Sequence, residues 1–256
     1  MAENLRQSFR TLAVGRPGAE VVELAGVSIA SLGVAFQMFN AAFLSEPVET
    51  QQELEDRLRA AAGYFASRGL PWAFWICEDW LAAAIRRKLS RACQTHGLRL
   101  SAEMPGMATG RLKPPTRTLP EMDVRPMEQG TTLNDFRALG STCFHVPIAW
   151  FSEVFDERVA ERKVFRCWVG YREGVPVATA ASVLSEGALG VYNVATAPEH
   201  RKHGYAEAIT RFAIDSASRE GEARRLVLQS TSQGHRLYDR MGFYPVTRVL
   251  VYNSGR

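Results

Sequence analysis

The residues most suggestive of chemistry stand together between positions 197 and 209, in APEHRKHGYAEAI. Arg201, Lys202 and His203 offer side-chain donors there, and Pro198 fixes the chain where it leaves a strand-like run. Gly204 permits left-handed backbone angles and the close approach of a ligand, and Ala206 keeps a second position small. An amphipathic helical pattern begins directly afterwards. Amides at a helix start have no partners within the helix, and the aligned peptide dipoles add about half a positive charge. The chemistry of such a turn is anion binding, and phosphate oxygens fit it well. An ordinary solvated helix start uses the same residue types, so the turn alone leaves both readings open. Neither a G-x-x-x-x-G-K-[ST] loop nor a G-x-G-x-x-G fingerprint occurs, which argues against a nucleotidase or a dinucleotide enzyme.

Other reactive residues carry less. His200 and His203 lack a third ligand at useful spacing, so no metal is expected. Cys143 lies two residues from His145, but near neighbours in sequence rarely aim at each other, which weakens a thiol nucleophile. The tryptophans of PWAFWICEDW read as core packing rather than a platform for stacking bases.

The elements that position the basic turn follow from periodicity. After a proline-rich stretch, PGMATGRLKPPTRTLPEM, the chain reads as a strand (MDVRPM) and a helix opened by a Thr cap (TTLNDFRALG). Two strands follow, joined by a turn at Glu173-Gly174, and then a further strand, ALGVYNVATAP. The helix after the basic turn repeats apolar residues at Ala206, Ile209, Ala213, Ile214 and Ala217 and is expected to end at Gly221. ARRLVLQST, GHRLYDRMGF and VTRVLVYN complete a strand, a short helix and a last strand. This is an α/β domain with a mixed sheet flanked by helices.

In the first half, VVELAGVSIASL, AFQMFNAAFL, PWAFWIC and LRLSAEM read as strands. A helix capped at Thr50 carries Leu54, Leu58, Ala61, Ala62 and Phe65 on one stripe, and DWLAAAIRRKLSRACQTHG reads as a second helix. Each half closes with a helix, a glycine (His96-Gly97-Leu98 or Met241-Gly242-Phe243) and a strand, which suggests a diverged internal repeat. The expected organisation is an accessory or degenerate domain over 1–104, a linker over 105–121 and a catalytic domain over 122–256.

Arg201-Lys202-His203-Gly204-Tyr205-Ala206 resembles the R/Q-x-x-G-x-G/A pyrophosphate loop of the GNAT superfamily of N-acetyltransferases. VYNVATAPEHRKHGYAEA resembles that family's fourth strand running into its coenzyme A loop and third helix. LQSTSQGHRLYDRMGF resembles its fifth strand and next helix, including a Tyr-x-x-x-Gly-Phe ending at Tyr238, Gly242 and Phe243. The likeness is good over 122–256 and weak before it. It makes the chain a tandem of two GNAT-like halves, the first without a phosphate loop. Thr231 stands where many members carry asparagine, and Ala206 replaces a second glycine; both changes are small.

The resemblance implies a set of roles. Val194, Ala195 and Thr196 would lie along the pantetheine arm of acetyl-CoA, pairing with it as an added strand would. Arg201, Lys202, His203, Gly204, Tyr205, Ala206 and Glu207 would hold its diphosphate. A primary amine would attack the thioester directly, with the amide of Val194 stabilising the oxyanion and Tyr238 protonating the leaving thiolate. A tyrosine near 10 is about 1.5 units too weak an acid for a thiol near 8.5, roughly 2 kcal/mol uphill in water. Desolvating the thiolate narrows the gap. No carboxylate stands in ALGVYNVAT, so the general base falls to His145 or Glu153 in the segment 141–155, or to a water relay. Phe144, Trp150 and Phe151 are candidate walls of the acceptor pocket. A coenzyme A-binding sensor without turnover is the alternative.

The remaining features set bounds. Hydrophobic content of 46% with 23% charged residues is that of a soluble globular protein. A net charge of +4 is too modest to indicate nucleic acid. No apolar run reaches the roughly eighteen residues of a membrane span, and the first residues lack the apolar core of a signal peptide. Cys77, Cys93, Cys143 and Cys167 are widely spaced, as free thiols in a reducing cytoplasm would be.

Overall fold

Two adjacent left-handed residues, Glu173 at φ 51° and Gly174 at φ 80°, close the hairpin where the sequence placed a turn. Paired positive φ angles give a two-residue loop the twist its flanking strands need. This and the following geometry come from a computed structural model, which describes residues 1–162, 164–219 and 223–255. The expected stop at Gly221 lies outside the described residues.

In chain order the first elements are α1 (Ala2–Ala13), β1 (Glu20–Leu24), β2 (Val27–Ser31), β3 (Asn40–Leu44), α2 (Gln51–Ala66) and β4 (Ala73–Cys77). Short helices α3 (Ala83–Arg86) and α4 (Leu89–Thr95) lead into β5 (Leu98–Thr109) and β6 (Asp123–Pro126). Helices α5 (Thr131–Phe144), α6 (Ile148–Val154) and α7 (Glu157–Ala160) precede β7 (Phe165–Arg172), β8 (Val175–Ser185) and β9 (Ala188–Thr196). The chain ends with α8 (Tyr205–Ser218), β10 (Arg225–Gln229), α9 (His235–Met241) and β11 (Tyr244–Ser254). No helix among the described residues is long and apolar enough to cross a membrane.

The chain forms two units. One holds Glu3–Thr11 and Met107–Tyr244; the other holds Leu12–Gly106 and the chain from Pro245 on. In the first, β7 and β8 and then β8 and β9 pair antiparallel, β10 runs parallel to β9, and α8 makes the crossover. In the second, β1, β2 and β3 pair antiparallel in turn, β4 runs parallel to β3, and α2 makes the crossover. The topology repeats. Gly97 and Gly242, which end α4 and α9, adopt φ of 74° and 99°, so the glycine echo read from the sequence is a shared left-handed helix stop.

The units depart from the expected boundaries of 1–104, 105–121 and 122–256. Strand β5 continues through Pro105–Thr109, because Met107 and Ala108 within the proline-rich stretch are buried. Strand β11, the last of the C-terminal half, pairs antiparallel with β4 instead of completing its own half. Other local expectations change as well. VVELAGVSIASL folds as the hairpin β1–β2, with Gly26 at φ 74°. Within AFQMFNAAFL only Asn40–Leu44 is strand, after a single 3-10 turn. The expected long second helix breaks because Val48 donates to Trp80 O at 2.7 Å and accepts from Ala82 N at 2.9 Å, which holds Leu81 extended. The cap of α5 is Gly130, not a threonine; Thr132 Oγ1 accepts instead from Glu128 N at 2.9 Å.

Amphipathic helices supply the cores. The α2 stripe Leu54, Leu58, Ala61 and Phe65 is buried with Ile29, Ala42 and Phe74. On α8, Ile209 and Ala213 meet Trp168, Val177 and Ala180, while Ile214 and Ala217 meet Leu189, Val191 and Leu228. Helix α1, which the sequence reading passed over, is fixed to its unit by Asn4, 1% exposed. Asn4 Nδ2 donates to Val183 O at 3.0 Å and Ala188 O at 2.8 Å, and Tyr192 Oη donates to Asn4 Oδ1 at 2.6 Å. Gly190 makes room for it, since a Cβ there would overlap Asn4 Oδ1. Asn4→Ala leaves two buried carbonyls and a hydroxyl without this partner and should lower stability by about 2 kcal/mol. Urea unfolding checks this; an unchanged midpoint would show that α1 is held by its apolar contacts alone.

Candidate functional site

Strand β9 changes partners along its length. It stays paired with β8 to Thr196, opposite Ala178, but its pairing with β10 stops at Gly190, opposite Val227. Beyond that point no β10 residue pairs with β9 among the described residues, which leaves a gap in the ladder. A bulge sits opposite Thr179–Ala181, where Asn193 takes φ 49° and its carbonyl accepts from Thr179 Oγ1 at 2.9 Å. Ala197 N donates to Val177 O at 3.0 Å, so alternation turns the amides and carbonyls of Val194 and Thr196 away from β8, toward the gap. Thr196 O there accepts from Arg201 Nε at 3.2 Å and from the Cys143 thiol at 3.4 Å. Thr196 Oγ1 is buried without a hydrogen-bond partner. The thiol of Cys143 thus faces a carbonyl and not His145.

The basic turn lies at the end of this strand. A single 3-10 turn over Pro198–His200 leads to Arg201, then to Lys202 at φ 67° and Gly204 at φ 101°. Gly204 is the N-cap of α8 and no side chain caps that helix, so its first amides keep their donor capacity. Arg201, Lys202 and His203 are exposed around them. Tyr205 is buried, with its hydroxyl accepting from Arg172 Nη1 at 3.1 Å, so only its backbone can serve a ligand. Glu207 is 3% exposed and pairs with Arg211 Nη2 at 2.8 Å. The carboxylate is engaged and its charge offset, which leaves the backbone amide of Glu207 in the first turn of the helix. Arg117 and Pro120, absent from the sequence-derived site, lie against Gly204; a Cβ there would come within 3.0 Å of Pro120 Cδ. Basic residues interleaved among the prolines were the available signal.

The equivalent turn of the other unit is capped by its own side chains. Thr50 accepts from Glu53 N at 3.2 Å while Glu53 Oε2 accepts from Thr50 N at 3.2 Å and Glu49 N at 2.8 Å. This capping box occupies the Glu53 amide of the α2 start and places the Glu53 carboxylate over the amides that precede it. Those two backbone donors hold the Glu53 carboxyl below its usual range. The bridge between Val48 and Leu81 links the segments that follow β3 and β4.

Tyr238 on α9 is 7% exposed and belongs to the same apolar cluster as half-buried Val194, with Leu189, Val191 and Leu228. Its ring lies edge-on to Phe243 at 5.9 Å. Burial pushes its hydroxyl well above the ordinary tyrosine value, because the phenolate would be desolvated. Thr231 Oγ1 accepts from Gly234 N at 3.2 Å, which turns the chain into α9.

The segment 141–155 is partly structural. His145 is the left-handed C-cap of α5, at φ 55°, and is exposed. Glu153 on α6 is also exposed. Phe151, expected as a pocket wall, is 2% exposed and stacks between Phe144 at 6.5 Å and Phe155 at 4.6 Å. Gly140 admits the ring where any Cβ would overlap it, so Phe151 is core of the α5–α6 pair and not a wall. Phe144 and Trp150 are half-buried.

Residues 163–245 match the family model described as Acetyltransferase (GNAT) domain. Over its full length the chain is similar to a GCN5-related N-acetyltransferase from Kribbella flavida, at TM-score 0.75 and 19% identity, covering 96% of that chain. A GCN5-related N-acetyltransferase from Sphaerobacter thermophilus gives TM-score 0.60 and 17% identity, over 91% of this chain and 82% of that one. A functionally unknown conserved protein from Staphylococcus epidermidis gives 0.65 and 11%, over 94% and 95%. No curated protein matches the sequence. The fold expected from the sequence is the fold found, in both halves.

The raised Tyr238 value has a consequence for stability. The folded state keeps a proton that the unfolded chain releases above about pH 10, so this contribution is present below pH 10 and declines as pH rises further. Tyr238→Phe removes the titrating group, and its urea midpoint should fall less than that of the wild type between pH 9 and pH 11. Parallel declines would mean that Tyr238 titrates normally.

Proposed function

We propose, from the GNAT superfamily to which the chain belongs through residues 163–245, that the protein is an acetyl-CoA-dependent N-acetyltransferase acting on a primary amine. The observation that carries the reading is the gap in pairing after Gly190, which turns the amides of Val194 and Thr196 toward a ligand and leads into the uncapped, basic start of α8. An extended pantetheine arm would pair with β9 as an added strand, and the amides from Lys202 to Glu207 would receive the diphosphate.

In this reading the amine nitrogen attacks the thioester carbon, the C–N bond forms and the C–S bond breaks. The Val194 amide donates to the oxygen as it gains charge. Tyr238 gives its proton to the departing thiolate, and the proton lost by the amine passes to a base or to water. The step requires a protonated Tyr238; burial keeps it protonated but also makes it a weaker acid, and desolvation of the departing thiolate at the same place offsets that cost. The Arg211–Glu207 pair keeps the one acidic side chain of the first α8 turn from repelling phosphate. His145 and Glu153 remain candidate bases on exposed positions, with Phe144 and Trp150 beside the acceptor. Free, widely spaced cysteines support a reducing cytoplasm as the setting.

Thiol release from acetyl-CoA over a panel of amines tests the activity. Turnover with any primary amine supports it; coenzyme binding without turnover on any of them would make the protein a sensor. Gly204→Asp places a carboxylate at the diphosphate, forces an unfavourable φ of 101° and should abolish coenzyme binding in calorimetry. Undiminished affinity would remove the site. Tyr238→Phe should lower kcat by at least about tenfold with little change in coenzyme Kd; an unchanged kcat removes Tyr238 from the chemistry.

A further inference from the structure

The segment between β5 and β6 is fastened across the coenzyme-side elements. Lys113 N donates to Met241 O at 2.9 Å, at the end of α9, and Arg211 Nη2 from α8 donates to Lys113 O at 2.8 Å. Gly242 accommodates this crossing, since a Cβ there would come within 3.0 Å of Lys113 Cγ. The chain then reaches the start of α8. There Pro120 Cδ and Arg117 Nη2 lie 3.0 and 3.3 Å from where a Gly204 Cβ would stand. Arg117 Nη1 donates to Lys202 O at 3.4 Å, the only hydrogen bond it makes among the described residues. The guanidinium is exposed. It has five N–H donors, so most remain available beside the uncapped amides of α8.

We propose that Arg117 is a ligand of the diphosphate, supplied from outside the turn that carries the backbone donors; this rests on the acetyl-CoA reading above. Three observations and the geometry of the arginine side chain converge on it. The prolines at 114, 115 and 120 stiffen the segment. Hydrogen bonds at both the N–H and the C=O of Lys113, the second from the Arg211 side chain, anchor it. The absence of a side chain at Gly204 lets it approach, and the planar fork of arginine matches adjacent phosphate oxygens. The Arg211 side chain serves both jobs at once, neutralising Glu207 and holding the Lys113 carbonyl, so the charge of the first α8 turn and the position of the arginine strap are set by one residue. Arg117 then acts as the side-chain counterpart of the loop amides, and its removal affects the phosphates and not the thioester.

Calorimetric titration of the full chain with coenzyme A and with dephospho-coenzyme A tests this. Arg117→Ala should raise Kd for both ligands by about tenfold, and Arg117→Lys should recover part of the loss. The difference from wild type should shrink in 0.5 M salt, where an exposed ion contact is screened. Because Arg117 is exposed, thermal unfolding of Arg117→Ala should match the wild type, which separates a lost ligand from a loosened strap. Unchanged affinity for both ligands overturns the proposal, as does a loss confined to coenzyme A, which would put the guanidinium on the ribose phosphate. If the wild-type protein binds neither ligand, the acetyl-CoA reading itself fails.

Discussion

The site depends on main-chain donors that secondary structure leaves without partners. A sheet ordinarily satisfies both edges of an inner strand, and a buried amide without a partner is costly. Here β10 leaves β9 after Gly190, and α8 starts on a glycine that offers no capping oxygen. The donors of β9 and of the α8 start are therefore set in position by the fold, as the proposed coenzyme, extended at one end and anionic at the other, requires. Side chains refine this arrangement. Arg211 cancels Glu207, Arg172 holds the Tyr205 hydroxyl, and Thr179 pins the bulge at Asn193.

The second unit is an internal control on that principle. It repeats the antiparallel triplet, the crossover helix and the parallel strand, yet its helix start is closed by the Thr50–Glu53 capping box, and Val48 pairs with Leu81. One topology thus yields an uncapped helix start or a capped one according to a few residues. Glycine and cations leave the amides open; threonine and glutamate use them. The fold alone does not carry the function.

Two polar contacts mark where the unit that carries the basic turn is held together. Asn4 fills the space left by Gly190, the β9 residue at which the pairing with β10 ends, and ties α1 to β9. Lys113 connects the proline-rich segment to α8 and α9. Both contacts join residues distant in sequence, and in neither does the residue type alone announce the partner.

What the sequence by itself determined was everything with a local cause: the Glu173-Gly174 hairpin, the α2 and α8 stripes, the left-handed stops at Gly97 and Gly242, and the basic turn from Arg201 to Ala206. Periodicity, glycine and charge act within a few residues, and so they are legible in one dimension. Tertiary structure alone decided that β11 pairs with β4, that Phe151 turns into the α5–α6 core, and that Arg117 stands beside Gly204. Each of these depends on a partner at least several residues away and on the space left beside it, and no local pattern encodes which distant side chain fills a gap.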